Sequence, residues 1–292
     1  MKCIALKIDV DSFQGSLLGV PALLALLERH ALSASFFFTL GKDRGACEPR
    51  ATSLKSYYGL RTRLYGRFLP APNIGKRCVK ILQQVQAAGF EVGLHAFNRV
   101  AWEKNILRAE NAWVEAEMNQ GCARFADIFS EPPKAHAAAG WKMNRHALRL
   151  TQRLAFDYAS DCRGSHPFLP VFDGELIDCP QLPTTLPTLD EVCSLEPSFS
   201  TDQAVDRILQ LSSAIDGNHV FTLRAELEGM RFLPSFERLI VGWKSRAYPL
   251  LSLRDFHRRL DPYALPRHIV HLAESPGRAG LHLTQGARFL QE

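Results

Sequence analysis

The chain has 292 residues, of which 46% are hydrophobic and 22% charged, and this composition excludes an intrinsically disordered protein. The length allows one large α/β domain or two smaller ones. No apolar run approaches the roughly 18 residues of a membrane span, and the N-terminus lacks a signal-peptide pattern, so we expect a cytoplasmic protein. The seven cysteines form no CxxC pair, which excludes a zinc ribbon and a CxxC redox motif.

Buried-strand patterns and helical patterns alternate along the chain. Residues 2–11 predict a buried strand that ends in two acids, and a helix and a second strand follow at 19–30 and 34–40. This order is the repeating unit of a parallel sheet, and its repetition predicts a closed or nearly closed β/α barrel. Further predicted helices cover 75–88, 101–121, 144–154 and 202–215. Further predicted strands cover 90–95, 158–163, 176–182 and 219–226, and a strand that leads into a loop is predicted over 133–141.

The positive charge is concentrated in one segment. Residues 44–80 carry a charge of +8, although the whole chain carries only +5. Leucines and tyrosines stand among the cations, which favours a segment lying on an anionic membrane surface over a solvated loop. No RNP, helix-turn-helix or zinc-finger pattern is present, so nucleic-acid binding is not predicted. We expect a single barrel domain over 1–263, with 44–80 as a basic membrane-facing insertion, and an irregular, peripheral tail over 264–292.

Three side chains that suit acid–base or metal chemistry stand at predicted strand ends. Asp9 and Asp11 alternate on the first strand and therefore share one face, and His95 ends a later strand. Because the carboxyl ends of barrel strands converge on one side, we expect these side chains to meet. One carboxylate can bind a metal while the other accepts a proton from water. Helix capping by the acids, and a histidine bound to loop backbone, are the structural alternatives.

A series of motifs resembles the NodB-homology polysaccharide deacetylases, and within them the deformylases that act on lipid-linked aminoarabinose. The resemblance implies a distorted (β/α) barrel that binds a divalent metal ion such as Zn²⁺, Co²⁺ or Mn²⁺. It implies hydrolysis of an N-formyl or N-acyl amino sugar linked to undecaprenyl phosphate, at the cytoplasmic face of the inner membrane, in lipid A modification and resistance to cationic peptides. The motifs include IDVDSF at 8–13, ASFF at 34–37, EVGLHA at 91–96, AAAGW at 137–141, SDCRG at 160–164 and AELEG at 225–229.

The resemblance also assigns roles to individual residues. Asp9 matches the general base of the family, and Asp11 and His95 match its first two metal ligands. The third ligand of the family is a histidine, and that position is Arg99 here; the catalytic histidine of the late strand is replaced by Arg224. An arginine cannot ligate a divalent cation.

Three interpretations of the two arginines stay open. The chain can be a homologue that binds the lipid-linked sugar without hydrolysing it. It can use a substitute metal ligand, for which His136 and His166 are the candidates. It can also act on another, anionic substrate that Arg99 and Arg224 hold.

Four more residues are candidates for substrate binding. Arg163 can hold a phosphate or orient Asp9, or it can form a structural salt bridge with Asp161 or another acid. Trp141 is either a platform for a sugar or a core residue, and Glu226 is expected to orient its neighbours.

Overall fold

The computed structural model describes residues 2–45 and 60–290. A π-helical turn at Gly15–Gly19 precedes the first α-helix. The strands in this part of the chain are β1 (Ile4–Val10), β2 (Ser35–Thr39), β3 (Glu91–Ala96), β4 (Ala135–His136), β5 (Tyr158–Ala159), β6 (Leu169–Phe172), β7 (Glu175–Leu176), β8 (His219–Arg224), β9 (Leu250–Leu251), β10 (Arg267–Ser275) and β11 (Arg278–Arg288). The α-helices are α1 (Val20–Arg29), α2 (Ile74–Arg77), α3 (Val79–Ala87), α4 (Arg99–Asn105), α5 (Asn111–Phe129), α6 (Arg145–Arg153), α7 (Leu189–Leu195), α8 (Thr201–Ala214), α9 (Leu233–Ser245) and α10 (Leu253–His257).

A parallel sheet in the order β5-β4-β3-β2-β1-β8 forms the main layer, and β9 also pairs with β1. The gap between its two ends is bridged by an extended segment at 180–186. That segment bonds to Ala159 of β5, since Leu182 N donates to Ala159 O at 2.8 Å, and to β8, since Thr185 N donates to Val220 O at 3.1 Å. The sheet is therefore nearly closed, which confirms the predicted NodB-type barrel.

The alternation of β1 and β2 separates the interior of the barrel from the layer under the helices. Phe36 and Phe38 pack in the large core that the helices cover, whereas Phe37 belongs to a second cluster together with Ala5. Because side chains two residues apart share a face, the inner face of β1 runs from Ala5 through Lys7 to Asp9. The acids at the end of β1 thus stand at the mouth of the barrel interior.

The residues after Ala264 are not irregular, and that expectation is wrong. They form the antiparallel pair β10 and β11, and β10 runs parallel to β6 in a second sheet, of order β11-β10-β6-β7. His268 and His282 take inward positions of these strands, with 8% and 1% exposure. His268 Nε2 lies 3.1 Å from Nε2 of His166, so the side chain of His166, which precedes β6, contacts this sheet. The strands were not predicted because some of their buried positions are occupied by polar residues such as histidine, so the sequence lacks the usual alternation of apolar and polar residues. The domain boundary at residue 263 remains a prediction.

The basic insertion is described in part, because Arg50 and Lys55 lie outside the described residues. Within 60–69, Leu60 and Phe68 are 68% and 70% exposed. The ring of Tyr65 meets that of Phe13 edge-on, with centroids 6.3 Å apart, so this segment packs beside the loop that follows β1. None of the described helices combines the length and hydrophobicity needed to cross a bilayer.

Candidate active site

The ends of β1 and β3 bring three of the predicted site residues together. Asp9 and Asp11 are each 6% exposed, and His95 is 2% exposed. Oδ1 of Asp11 lies 2.9 Å from Nε2 of His95, and Oδ1 of Asp9 lies 3.8 Å from Nδ1 of the same ring. The imidazole therefore stands between two carboxylates, as strands that converge at one end of a barrel allow.

The charges of this cluster shift the pKa values of its members. Burial opposes ionisation of Asp11, but Arg99, His95 and Arg224 outweigh it and hold the pKa of Asp11 well below its ordinary value. Burial also opposes the charged form of His95, but Asp9 and Asp11 outweigh it and raise the pKa of His95. Each of these charges therefore favours the ionised form of the other: His95 favours the carboxylate of Asp11, and Asp9 and Asp11 favour the imidazolium of His95.

Arg99 begins α4, immediately after the loop that follows β3. Glu117 fixes the start of this helix, since its carboxylate accepts hydrogen bonds from the backbone N–H and the side-chain amide of Asn98 at 3.1 and 3.0 Å. The Arg99 side chain is 3% exposed, with Nη1 at 2.9 Å from Glu103 Oε1 and Nε at 3.6 Å from Asp11 Oδ1. The position that the resemblance assigns to a third metal ligand thus carries a buried cation next to Asp11.

The side chains around Asp11 do not fit the three-ligand metal site that the resemblance implies. Asp11 and His95 offer one oxygen and one nitrogen, but the guanidinium of Arg99 has five N–H donors and no acceptor. Among residues 2–45 and 60–290, no group of three or more His, Cys, Asp or Glu side chains is placed to hold a metal ion. The cluster therefore offers a substrate two carboxylates, an imidazole and a guanidinium.

His136, the candidate substitute ligand, is held by a different acid. Its Nδ1 lies 2.7 Å from Oδ1 of Asp161, which is fully buried. The imidazole packs against Trp102 and Phe156, with ring centroids 6.4 and 5.4 Å apart. The structure thus joins His136 to Asp161 at the ends of β4 and β5 rather than to Asp11.

Arg224 ends β8 and stands in register with Asp9 on the neighbouring β1. Its Nη2 lies 3.2 Å from Oδ2 of Asp190, so the cation at the family's histidine position is ion-paired. In the loop that follows, Oε2 of Glu226 accepts a hydrogen bond of 3.4 Å from the backbone N–H of Asp11. Glu226 accordingly connects the end of β8 to the end of β1, as an orienting residue would.

Trp141 is buried, and three cationic side chains lie near its indole ring. Its side chain is 2% exposed, and its Nε1 donates to Thr184 Oγ1 at 3.0 Å. Arg163 and Arg278 lie over the ring, with Cζ at 5.0 and 4.5 Å from the centroid, and Lys7 Nζ lies at 5.2 Å. Cations at these distances are attracted to the face of an indole. Trp141 therefore orders the cations next to the site while it packs in the interior.

The start of α7 supplies the acid that pairs with two of these cations, Arg163 and Arg278. Thr188 and Glu191 cap the start of α7 reciprocally, in the T-x-x-E pattern of a capping box, and Asp190 and Glu191 are both buried. Oε2 of Glu191 lies 3.3 Å from Arg163 Nη1, and its Oε1 lies 2.9 Å from Arg278 Nε. The salt bridge considered for Arg163 is therefore made with Glu191, not with Asp161.

Several residues of the site were not identified from the sequence. Lys7 precedes Asp9 by two positions in an apolar strand, which was a readable signal; its Nζ lies 3.6 Å from Asp9 Oδ1 and donates to Ser160 O at 3.0 Å. Asp190 lies inside the T-x-x-E pattern of α7, which marks a helix start but does not show that this acid is buried. Arg278 gives no local signal, because it reaches the site through the pairing of β10 and β11.

Relatives identify the family to which this geometry belongs. No protein-family model matches the chain. A protein of Shewanella sediminis named "Probable 4-deoxy-4-formamido-L-arabinose-phosphoundecaprenol deformylase ArnD" is 35% identical over 273 residues, which cover 88% of this chain and 87% of the relative. A protein of the same name from Wigglesworthia glossinidia brevipalpis is 31% identical over 279 residues, covering 91% of this chain and 96% of that one. The chain belongs to this deformylase family. Membership places it among the hydrolases of amide bonds.

Solved structures support the fold of the deformylase family member. A protein from Mycobacterium smegmatis named as a polysaccharide deacetylase superimposes with a TM-score of 0.67 at 16% identity, covering 94% of both chains. A CE4 family pseudoenzyme from Bacillus anthracis superimposes with a TM-score of 0.53 at 12% identity, covering 92% of this chain and 70% of the other. At these identities the similarity shows the fold alone.

Proposed function

We propose that the chain removes the N-formyl, or another N-acyl, group from an amino sugar linked to undecaprenyl phosphate. The names of the relatives support the substrate class, and the position of Asp9 supports the reaction. Its carboxylate is buried at the mouth of the barrel, and its Oδ1 accepts no hydrogen bond from the residues that the structure describes. A buried carboxylate with a free lone pair can accept a proton from water.

The proposed reaction uses the side chains of the cluster. Asp9 takes a proton from water while the water oxygen attacks the formyl carbon, and the Nζ atom of Lys7, 3.6 Å from Asp9 Oδ1, helps to hold the carboxylate in position. The positive charge of Arg99 and an N–H group of the His95 ring stabilise the oxyanion that forms on the formyl oxygen. The carbon–nitrogen bond breaks when the proton that Asp9 has taken passes to the sugar nitrogen, and the products are formate and the free amine.

The experiment that tests this function measures formate released from a synthetic undecaprenyl-phosphate-linked formamido sugar. Asp9→Asn keeps the shape of the side chain and removes the base, so we expect kcat/KM to fall by about 10²–10⁴-fold. Asp127→Asn removes a carboxylate that is 65% exposed on α5, and this control should hydrolyse at the unchanged rate. Equal rates in the unsubstituted protein and Asp9→Asn would contradict the role of Asp9.

A second candidate function is binding of the same ligand without hydrolysis. It is favoured by the two arginines at histidine positions of the family, each of which is paired with an acid: Arg99 with Glu103 and Arg224 with Asp190. A permanent cation in these positions cannot exchange protons at neutral pH. Calorimetric binding of the lipid-linked sugar with no release of formate would select this function over the first.

We also propose that the chain works at the inner face of the cytoplasmic membrane, where an undecaprenyl-linked substrate would lie. The described part of the basic insertion supports this, because it exposes Leu60 and Phe68 among exposed arginines such as Arg61 and Arg67. Anionic lipid attracts such residues. Cosedimentation with lipid vesicles measures the association.

A further inference from the structure

Residue 99 is an arginine where the resemblance expects a metal-binding histidine, and this exchange changes which positive charge lies next to Asp11. The Nε atom of Arg99 lies 3.6 Å from Oδ1 of Asp11, and Nε2 of His95 lies 2.9 Å from the same oxygen. All three side chains are at most 6–7% exposed, so this one carboxylate oxygen is enclosed by a guanidinium and an imidazole. An oxygen that would bind a metal in the family already has a positively charged partner here.

The guanidinium is held in this position rather than free to leave it. Nη1 of Arg99 lies 2.9 Å from Oε1 of Glu103, one turn further along α4. The helix start is fixed in turn by the hydrogen bonds from Asn98 to Glu117. A divalent ion bound to Asp11 would have to approach a buried, permanent positive charge, and the charge on Arg99 cannot be lost by deprotonation.

The two histidines that could replace the lost ligand are used elsewhere in the fold. His136 is bound to Asp161 at 2.7 Å, and His166 lies 3.1 Å from His268 in the second sheet. The remaining described residues supply no three-donor cluster either. At position 99 the chain therefore lacks the metal-binding histidine that the resemblance implies and has a guanidinium cation instead.

We propose that the Arg99 guanidinium takes the place of the divalent cation, so that the site carries a built-in, metal-independent positive charge next to Asp11. The ligand position itself is preserved: a histidine at residue 99 would meet Asp11 and His95 and create a metal site. The inference concerns the cation and does not depend on which sugar or acyl group the protein takes.

The test measures metal binding by the full-length protein, with no reference to activity. Calorimetry with Zn²⁺, Co²⁺ and Mn²⁺, together with the visible absorption of bound Co²⁺, would be recorded for the unsubstituted protein and for Arg99→His. We expect Arg99→His to bind one equivalent at least about 100-fold more tightly than the unsubstituted protein, because one ligand is gained and one repelling charge is removed.

Two further variants make the comparison specific. Arg99→Gln removes the charge without providing an imidazole, and it should bind more weakly than Arg99→His. Arg99→His combined with Asp11→Asn should lose the new site, which separates it from binding by surface histidines or thiols. Near-ultraviolet circular dichroism and thermal melting show whether each variant is folded.

Three results would overturn the proposal. One is stoichiometric metal in the unsubstituted protein that Asp11→Asn abolishes. Another is a folded Arg99→His variant that gains no metal affinity. The third is Arg99→Gln binding as tightly as Arg99→His. A failure to release formate from the lipid-linked sugar would count against the proposed reaction, and the metal measurement would be unaffected.

Discussion

Glu228 is a buried acid beside the site, and its pKa lies well above the ordinary value of a glutamic acid. Burial raises its pKa to about 8, and the nearby carboxylate of Asp190 contributes to the increase. The backbone N–H of Arg224 donates to its Oε2 at 2.8 Å, and this bond and the charge of Arg224 only partly offset the increase. The loop after β8 therefore holds a carboxyl group whose protonated form is favoured, next to the ion pair of Arg224 and Asp190.

The shifted pKa of Glu228 predicts a dependence of stability on pH. From its ordinary pKa of 4.5 up to about 8, the native chain keeps a proton that the unfolded chain has lost. The free energy of unfolding should therefore decrease as the pH rises through this interval, by at most about 1.4 kcal/mol per pH unit from this group. Glu228→Gln should remove this part of the dependence, which urea unfolding at several pH values measures.

An exposed acid serves as the control for that prediction. Glu196 follows α7 at the surface, and Glu196→Gln should leave the pH dependence of unfolding unchanged. If Glu228→Gln and the unsubstituted protein lose stability equally steeply between about pH 5 and pH 8, Glu228 is ionised in the native state.

Residues at strand ends were the predictable part of the site. Asp9, Asp11 and His95 were identifiable because strand alternation and the barrel fix where the ends of β1 and β3 meet. The acids that pair with Arg163 and Arg224 could not be predicted. Glu191 and Asp190 contact them from the start of α7, which is more than 25 residues away in the sequence from either arginine. Local patterns report the face on which a side chain lies, but not which distant charge it meets.

At the scale of elements, the backbone that leads into α1 packs directly against the backbone that follows β8. A Cβ atom on Gly19 would lie 2.0 Å from the carbonyl oxygen of Ala225, between Arg224 and Glu226. A Cβ atom on Gly229 would lie 2.6 Å from the carbonyl oxygen of Gly19. The two backbones therefore touch with no room for a side chain, and this contact positions the loop that carries Glu226.

Gly19→Ala should separate these two elements. The added methyl group cannot be accommodated without moving the backbone, so we expect the free energy of unfolding to fall by about 1–3 kcal/mol. Leu18 is the adjacent residue and is 51% exposed, so Leu18→Ala should change stability by less than about 0.5 kcal/mol. Chemical denaturation of both variants measures the difference. Equal stability of the two would show that the contact yields at little cost.

The elements themselves were predicted unevenly. The predicted strands at 34–40, 90–95 and 219–226 agree with β2, β3 and β8 to within two residues, because continuous apolar runs in a parallel sheet are distinctive. The predicted strand leading into a loop over 133–141 contains the two-residue strand β4, and the chain turns at Gly140, which has a φ of 65°. The pair β10 and β11 was missed because polar residues fill inward positions.

At the scale of the whole molecule, the exposed basic segment predicts selective binding to anionic membranes. Reversing Arg61 and Arg67 to Glu should lower the partition onto vesicles containing anionic lipid by at least about tenfold, since each cation near such a surface contributes about 1 kcal/mol. Arg207→Glu with Arg246→Glu makes the same change of charge on α8 and after α9, and should have a smaller effect. Cosedimentation measures both. Equal losses would indicate that net charge, and not this segment, controls binding.

The central strand of the barrel has neighbours that are far apart in sequence. β1 pairs on one side with β2, about 30 residues later, and on the other with β8, where Ile4 lies opposite His219. The pairing of β1 with β8 closes a loop of roughly two hundred residues, and the entropy cost of closing it slows folding, as in other proteins dominated by non-local strand pairs. Until β8 arrives, the wholly apolar side of β1 and its unpaired backbone edge are open to other chains, so the folding yield of this protein depends on how quickly its last central strand docks.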